Sequence, residues 1–189
     1  MPVSSDIAPP TPMANTIDSR IDTFLADVRR DAESAGVFGV VEVLPGQSGR
    51  PGMLRASAPR AAAEAWYRIR HDGGAWCVEF VTPDRWLSES IEADLMHHGD
   101  PIEELVEEEL AELDDGGRDG SAGDAARGRA GAAVVRPVVQ HFRSEDLLYT
   151  FRTALPGEVP EASEASRFLR AYEAAFRELG DVEADPGER

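Results

Sequence analysis

Lysine is absent from this chain, and all nineteen basic residues are arginine. Beside the abundance of Ala, Gly, Asp and Glu, this fits a coding sequence rich in G and C, so it carries no mechanistic weight. Cysteine is nearly absent as well. Cys77 alone excludes an intramolecular disulfide, argues against a cysteine-based zinc site and favours a reducing, cytoplasmic compartment. No run of eighteen apolar residues occurs, and the opening MPVSSDIAPPTPMANT holds no apolar stretch of signal-peptide length, so neither membrane insertion nor export is expected. Basic charge is scarce: 36 acidic residues against 19 basic give a net charge of −17. Such a field repels nucleic acid and anionic lipid and steers a basic partner inward, so neither nucleic acid nor membrane is an expected partner.

What remains is enough for one ordinary domain: 189 residues, 42% hydrophobic and 29% charged. Residues 1–15, with four prolines among small polar residues, read as a flexible arm. A single α+β domain is expected over residues 16–180, and residues 181–189 form an acidic tail. Ile17, Ile21, Phe24, Leu25 and Val28 fall at helical spacing, with Asn15 or Thr16 to cap the start and Gly36 to end the helix. Val37 to Leu44 is rich in β-branched residues and reads as a strand, and Met53 to Ala58 as a further short one. Trp66 to Arg70 and Ala75 to Val81 flank His71-Asp72-Gly73-Gly74, the pattern of a β-hairpin.

Thr82-Pro83-Asp84 supplies a cap, a proline for the first helical position and an early acid. A helix is expected behind them with Trp86, Leu87, Ile91 and Leu95 on one face, stopped by His97-His98-Gly99. Asp100-Pro101 starts a second helical stretch with the stripe Ile102, Leu105, Val106, Leu110 and Leu113, either a new helix or a bent continuation. Residues 114–131 contain no large apolar side chain and read as a mobile loop. Val134 to Phe142 and Leu147 to Leu155 make a second hairpin, and Pro137 assigns its first strand to an edge or a bulge. Phe168, Leu169, Tyr172, Phe176 and Leu179 mark a last amphipathic helix from Glu161 to Leu179. Grouped strands with separate helices predict an antiparallel sheet with helices packed on one face, in the order α-βββ(β)-α(α)-ββ-α.

Catalytic signatures are weak. His97 and His98 beside Asp100, with Glu103 and Glu104 a turn further on, form the sharpest metal-ligating pattern. Adjacent helical residues point about 100° apart, however, so both imidazoles cannot face one ion without a break in the backbone. Histidine at a helix C-terminus is also favoured by the free carbonyls there, which makes capping the expected role. No cofactor is expected, and a metal-dependent enzyme using His97, His98 and Asp100 is the alternative. His71 and His141 have no Ser, Cys or acid at motif spacing, and Cys77 sits within a strand as a small buried thiol.

Two surfaces carry the binding expectation. Trp66, Tyr67, Trp76, Phe80 and Trp86 cluster around the first hairpin and the helix after it, and Glu104 and Glu108 belong to a dense acidic helix face. Because strands alternate their faces, Trp66 and Tyr67 cannot enter the same core, so one of them needs a different cover. The order of elements from Thr16 to Leu179, in a small acidic chain, resembles the type III secretion chaperones and the related YbjN-like family. The resemblance implies a non-catalytic protein-binding module, chaperone-like or adaptor, that forms homodimers and holds an extended partner polypeptide on an aromatic and apolar surface. The longer middle helical segment and the loop at 114–131 depart from the family pattern.

Overall fold

The computed structural model describes residues 12–46, 50–115 and 136–180. The chain runs α1 (Pro12–Ala35), β1 (Val41–Leu44), β2 (Met53–Ser57), β3 (Trp66–Asp72), β4 (Ala75–Thr82), α2 (Arg85–His98), α3 (Ile102–Asp115), β5 (Gln140–Arg143), β6 (Tyr149–Ala154) and α4 (Ala162–Phe176). The six strands form one antiparallel sheet in the order β1-β2-β3-β4-β6-β5. The first four make a meander, and the passage through α2 and α3 carries the chain to the far edge, from which β6 returns to pair with β4.

Local chemistry accounts for the boundaries. Gly73 and Gly74, at φ of 60° and 91°, supply the two positive dihedrals that a two-residue hairpin of the twist-compatible kind requires between β3 and β4. Asp84, rather than Thr82, is the N-cap of α2, and its carboxylate accepts the Leu87 amide at 2.9 Å. Pro83 therefore precedes the helix instead of opening it. Thr82 has another role: its hydroxyl donates to the Glu64 carbonyl at 2.7 Å and accepts the Asp84 amide. Gly99, at φ 80°, ends α2 with its amide on the Leu95 carbonyl, so the middle segment is two helices.

Several expected boundaries shift. α1 begins at Pro12, within the stretch read as a flexible arm, because a proline at the first helical position forfeits no hydrogen bond. Residues 1–11, most of the segment read as a mobile loop and the tail at 181–189 lie outside the described residues; Asp114 and Asp115 close α3. The strand expected from Val37 starts only at Val41, since Gly39 and Val40 both bond to Ser57, two residues against one. β5 is confined to Gln140–Arg143, at the edge to which Pro137 assigned it.

Register separates the two faces of the sheet. Tyr67, Ile69, Trp76, Val78, Phe80 and Phe151 point toward the helices, where Trp76 meets Phe24 of α1 edge-on at 4.9 Å and Phe80 stacks on Phe176 of α4 at 4.7 Å. Each such side chain, fully removed from water, stabilises the fold by about 1.5–3 kcal/mol. The Tyr172 hydroxyl donates to Thr153 at 2.7 Å, whose own hydroxyl donates to the Val138 carbonyl. This chain ties α4 to β6 and to the segment that enters β5.

The turn between β5 and β6 holds Leu147 at φ 62°, with its side chain in solvent. A leucine pays about 1–2 kcal/mol in that left-handed region, whereas glycine does not. Leu147→Gly is expected to raise stability by about 0.5–1 kcal/mol, after glycine's greater entropy loss is set against the relieved strain; a lower urea midpoint for the variant would contradict this account.

Candidate functional site

The opposite face of the sheet has no helix over it among the described residues, and its centre is charged. Register sets Glu79 of β4 directly between Arg68 of β3 and Arg152 of β6. Glu79 is 0% exposed. Arg152 donates to its Oε1 from Nε at 2.7 Å and places Nη2 at 2.6 Å from the same oxygen, while Arg68 donates to Oε2 from Nε at 3.0 Å. A carboxylate without water needs this many donors, because its desolvation costs several kcal/mol. Burial also pulls the Arg68 guanidinium below its ordinary value, with Glu79 opposing that pull.

The pairs continue into a closed circuit. Arg152 Nη1 lies 2.8 Å from Asp72, Asp72 lies 3.4 Å from Arg70, and Arg70 donates to Asp146 at 3.2 Å. Asp146 completes the ring at 3.8 Å from Arg68. Three arginines and three acids thus alternate around one patch of sheet. Burial pushes the Asp72 carboxyl up, but Arg152, Arg70 and Arg50 outweigh it and hold the group below the usual carboxylate range. Beside the ring opens a cavity of about 270 Å³, bounded by Arg50, Arg70, Arg143 and Arg152 together with Asp72 and Asp146. Two aromatic rings border the patch: Phe142 lies 4.8 Å beneath the Arg152 guanidinium, and Trp66 lies 5.4 Å beneath that of Arg55.

The residues singled out for partner binding divide between interior and surface. Tyr67, Trp76 and Phe80 are buried on the helix side, so their rings are part of the core. Trp66 is half-buried on the helix-free face, and Trp86 of α2 is 77% exposed. Glu104 and Glu108 are exposed on α3, away from the sheet. His97 is exposed in the last turn of α2, the side chain of His98 lies outside the described residues, and Asp100 follows the Gly99 cap. Among the described residues no group of three His, Cys, Asp or Glu is disposed to hold a metal ion. Cys77 lies on the helix-free face, where burial pushes its thiol up to about 11 against the pull of Arg152, an environment for an unreactive thiol.

His141 is not isolated in space. Its Nε2 lies 3.1 Å from the Ser88 hydroxyl and its Nδ1 lies 2.6 Å from Glu92, while the ring stacks on Phe151 at 4.0 Å. Ser, His and Glu in this relation resemble a nucleophile, its base and an orienting acid. Ser88, however, is only 2% exposed, so its oxygen is closed to an external acyl group, and the trio acts as a tether that holds edge strand β5 to α2. Ser88 and Glu92 are one helical turn apart, which was the one trace of this site in the sequence.

Glu79→Ala is expected to cost about 3–5 kcal/mol by urea unfolding, because two enclosed guanidiniums lose their counter-charge. Pairing Glu79→Leu with Arg68→Met should recover more than half of that loss, and equal losses in both variants would contradict it. Asp72 adds a pH dependence. Its folded pKa lies below its unfolded value of about 3.9, so its contribution is present above that pH and lost as pH falls through the folded value. Asp72→Asn should therefore be less stable than the parent at pH 7, with the gap closing in urea titrations taken down to about pH 3; a gap that stays constant would oppose the assignment.

Comparison with protein-family models, with curated proteins and with solved structures finds no match for this chain, so its function is argued from its own residues.

Proposed function

We propose that this chain is a non-catalytic binding module, chaperone-like or adaptor, which holds another polypeptide against the helix-free face of its sheet. The observation that supports this most directly is the asymmetry of the sheet. One face is packed under helices, while the other carries no element among the described residues and presents half-buried Leu44, Met53, Trp66 and Phe142 around a ring of ion pairs. An aromatic at the margin of a satisfied polar patch suits a polypeptide partner, because the ring supplies area at low entropy cost while neighbouring charges select orientation. Strands β1 and β5 are the two edges of the sheet, with no strand beyond them among the described residues, and a sheet edge can pair an extended segment.

The expected resemblance to type III secretion chaperones and YbjN-like proteins belongs with this reading, since the element order provides a sheet with one helix-covered face. A fourth strand in the first meander and a second middle helix depart from the simplest form of that pattern.

Site-specific photo-cross-linking in extract of the native cell tests the reading. A benzophenone side chain in place of Trp66 should capture a discrete partner chain. The same group in place of Arg170, exposed on α4, should not. Equal capture from both positions, no capture at all, or capture of a second copy of this chain alone would overturn it.

A further inference from the structure

The ring of ion pairs is closed by its weakest member. Glu79 is enclosed and Asp72 is held by two arginines, but Asp146 is 55% exposed along its side chain and reaches Arg70 and Arg68 only at 3.2 and 3.8 Å. It belongs to the β5–β6 turn, whose next residue is the strained Leu147. The other arginines of the cavity are held from behind: Arg152 by Glu79 and Asp72, and Arg70 by Asp72. Arg50 and Arg143 come from separate segments, and the guanidinium of Arg143 lies 5.7 Å over the Tyr149 ring. Arg50, Arg70, Arg143 and Arg152 line a cavity of about 270 Å³ together with Asp72, Glu145 and Asp146.

We propose that this cavity is a binding site for a carboxylate, which takes the place at Arg70 now held by the side chain of Asp146. The guanidinium fork matches a planar carboxylate in two-point contact, which an ammonium does not. With Asp146 turned outward, Arg50, Arg70 and Arg152 stand against Asp72 and Glu145 at the cavity, a local positive excess within a chain of net charge −17. Asp146 then acts as an internal stand-in. It keeps the arginines ordered when the site is empty and lowers the apparent affinity by the fraction of time that it occupies the site. The inference stands on the cavity and does not require the polypeptide reading, although the carboxylate of a bound chain is one source of ligand.

The test follows the arginine Nε–Hε resonances of the full chain by NMR during titration with sodium acetate, at ionic strength held constant with chloride. Saturable shifts are expected at Arg70 and Arg152 in the parent protein, about tenfold tighter binding in Asp146→Asn, and loss of saturation at Arg152 in Arg70→Gln. Amide dispersion in each variant reports that the fold is retained. Linear shifts of equal size in all three proteins, or no tightening in Asp146→Asn, would overturn the proposal. A second arm compares a short peptide with a free C-terminus, the same peptide amidated, and acetate. If only the free peptide exceeds acetate, the site takes a chain terminus. If both peptides fall below acetate, the site takes small carboxylic acids, and the polypeptide reading fails here while the carboxylate site stands.

Discussion

Glu79 occupies the middle of β4, the fourth strand from one edge of the sheet and the third from the other, with a guanidinium on each side and no exposure to solvent. A buried carboxylate of this kind is tolerated only when both oxygens are satisfied, and the satisfaction comes from cross-strand neighbours fixed by register. A slip of one residue between β3 and β4 would turn Arg68 and Arg70 toward the helices and set Tyr67 and Ile69 in their place. The penalty for such a slip is a pair of unpaired charges inside an apolar layer. The clamp therefore selects one alignment of β3, β4 and β6, and everything that depends on that alignment follows: the aromatic layer beneath α1 and α4, the ring that extends to Asp72 and Asp146, and the cavity beside it.

The same clamp explains how a sheet of six strands keeps one face without helices. An apolar face of that size would invite uncontrolled association. Here the central positions are filled by arginines and acids that neutralise one another. Trp66 and Phe142 border that patch, each beneath a guanidinium, so apolar area is offered at its margin and charge at its middle.

The sequence conveyed the fold well because periodicity and punctuation agree. Gly73-Gly74, Gly99 and Pro137 each act where a turn, a stop or an edge was expected, and the cap of α2 falls on Asp84, two residues beyond Thr82. What it conveyed poorly were boundaries decided by tertiary hydrogen bonds, as at Gly39 and Val40, where Ser57 imposes a bulge that no local propensity announces. The ring went unread for a related reason. Arg68, Arg70 and Asp72 alternate with Tyr67, Ile69 and His71, a period-two signal that was visible, but Glu79, Asp146 and Arg152 join them only through pairing across the sheet. Strand alternation separated Trp66 from Tyr67, but which of the two entered the core was decided by packing: Tyr67, Trp76 and Phe80 lie inside and Trp66 outside.

Charge distribution bears on what can approach this molecule. The ring, the cavity and the Arg55–Glu42 pair account for six of the nineteen arginines and five of the thirty-six acids. That region is therefore slightly positive, and the whole of the net negative charge resides elsewhere in the chain, much of it on α3. Outside the helix-free face, a partner of negative charge is repelled over about a Debye length, roughly 8 Å at physiological salt. At that face the field is close to balanced, and short-range fit decides binding. An acidic protein that concentrates arginine in one place, and spends most of its acids there on holding those arginines in position, has arranged the one surface where a carboxylate can come close without first overcoming the charge of the whole.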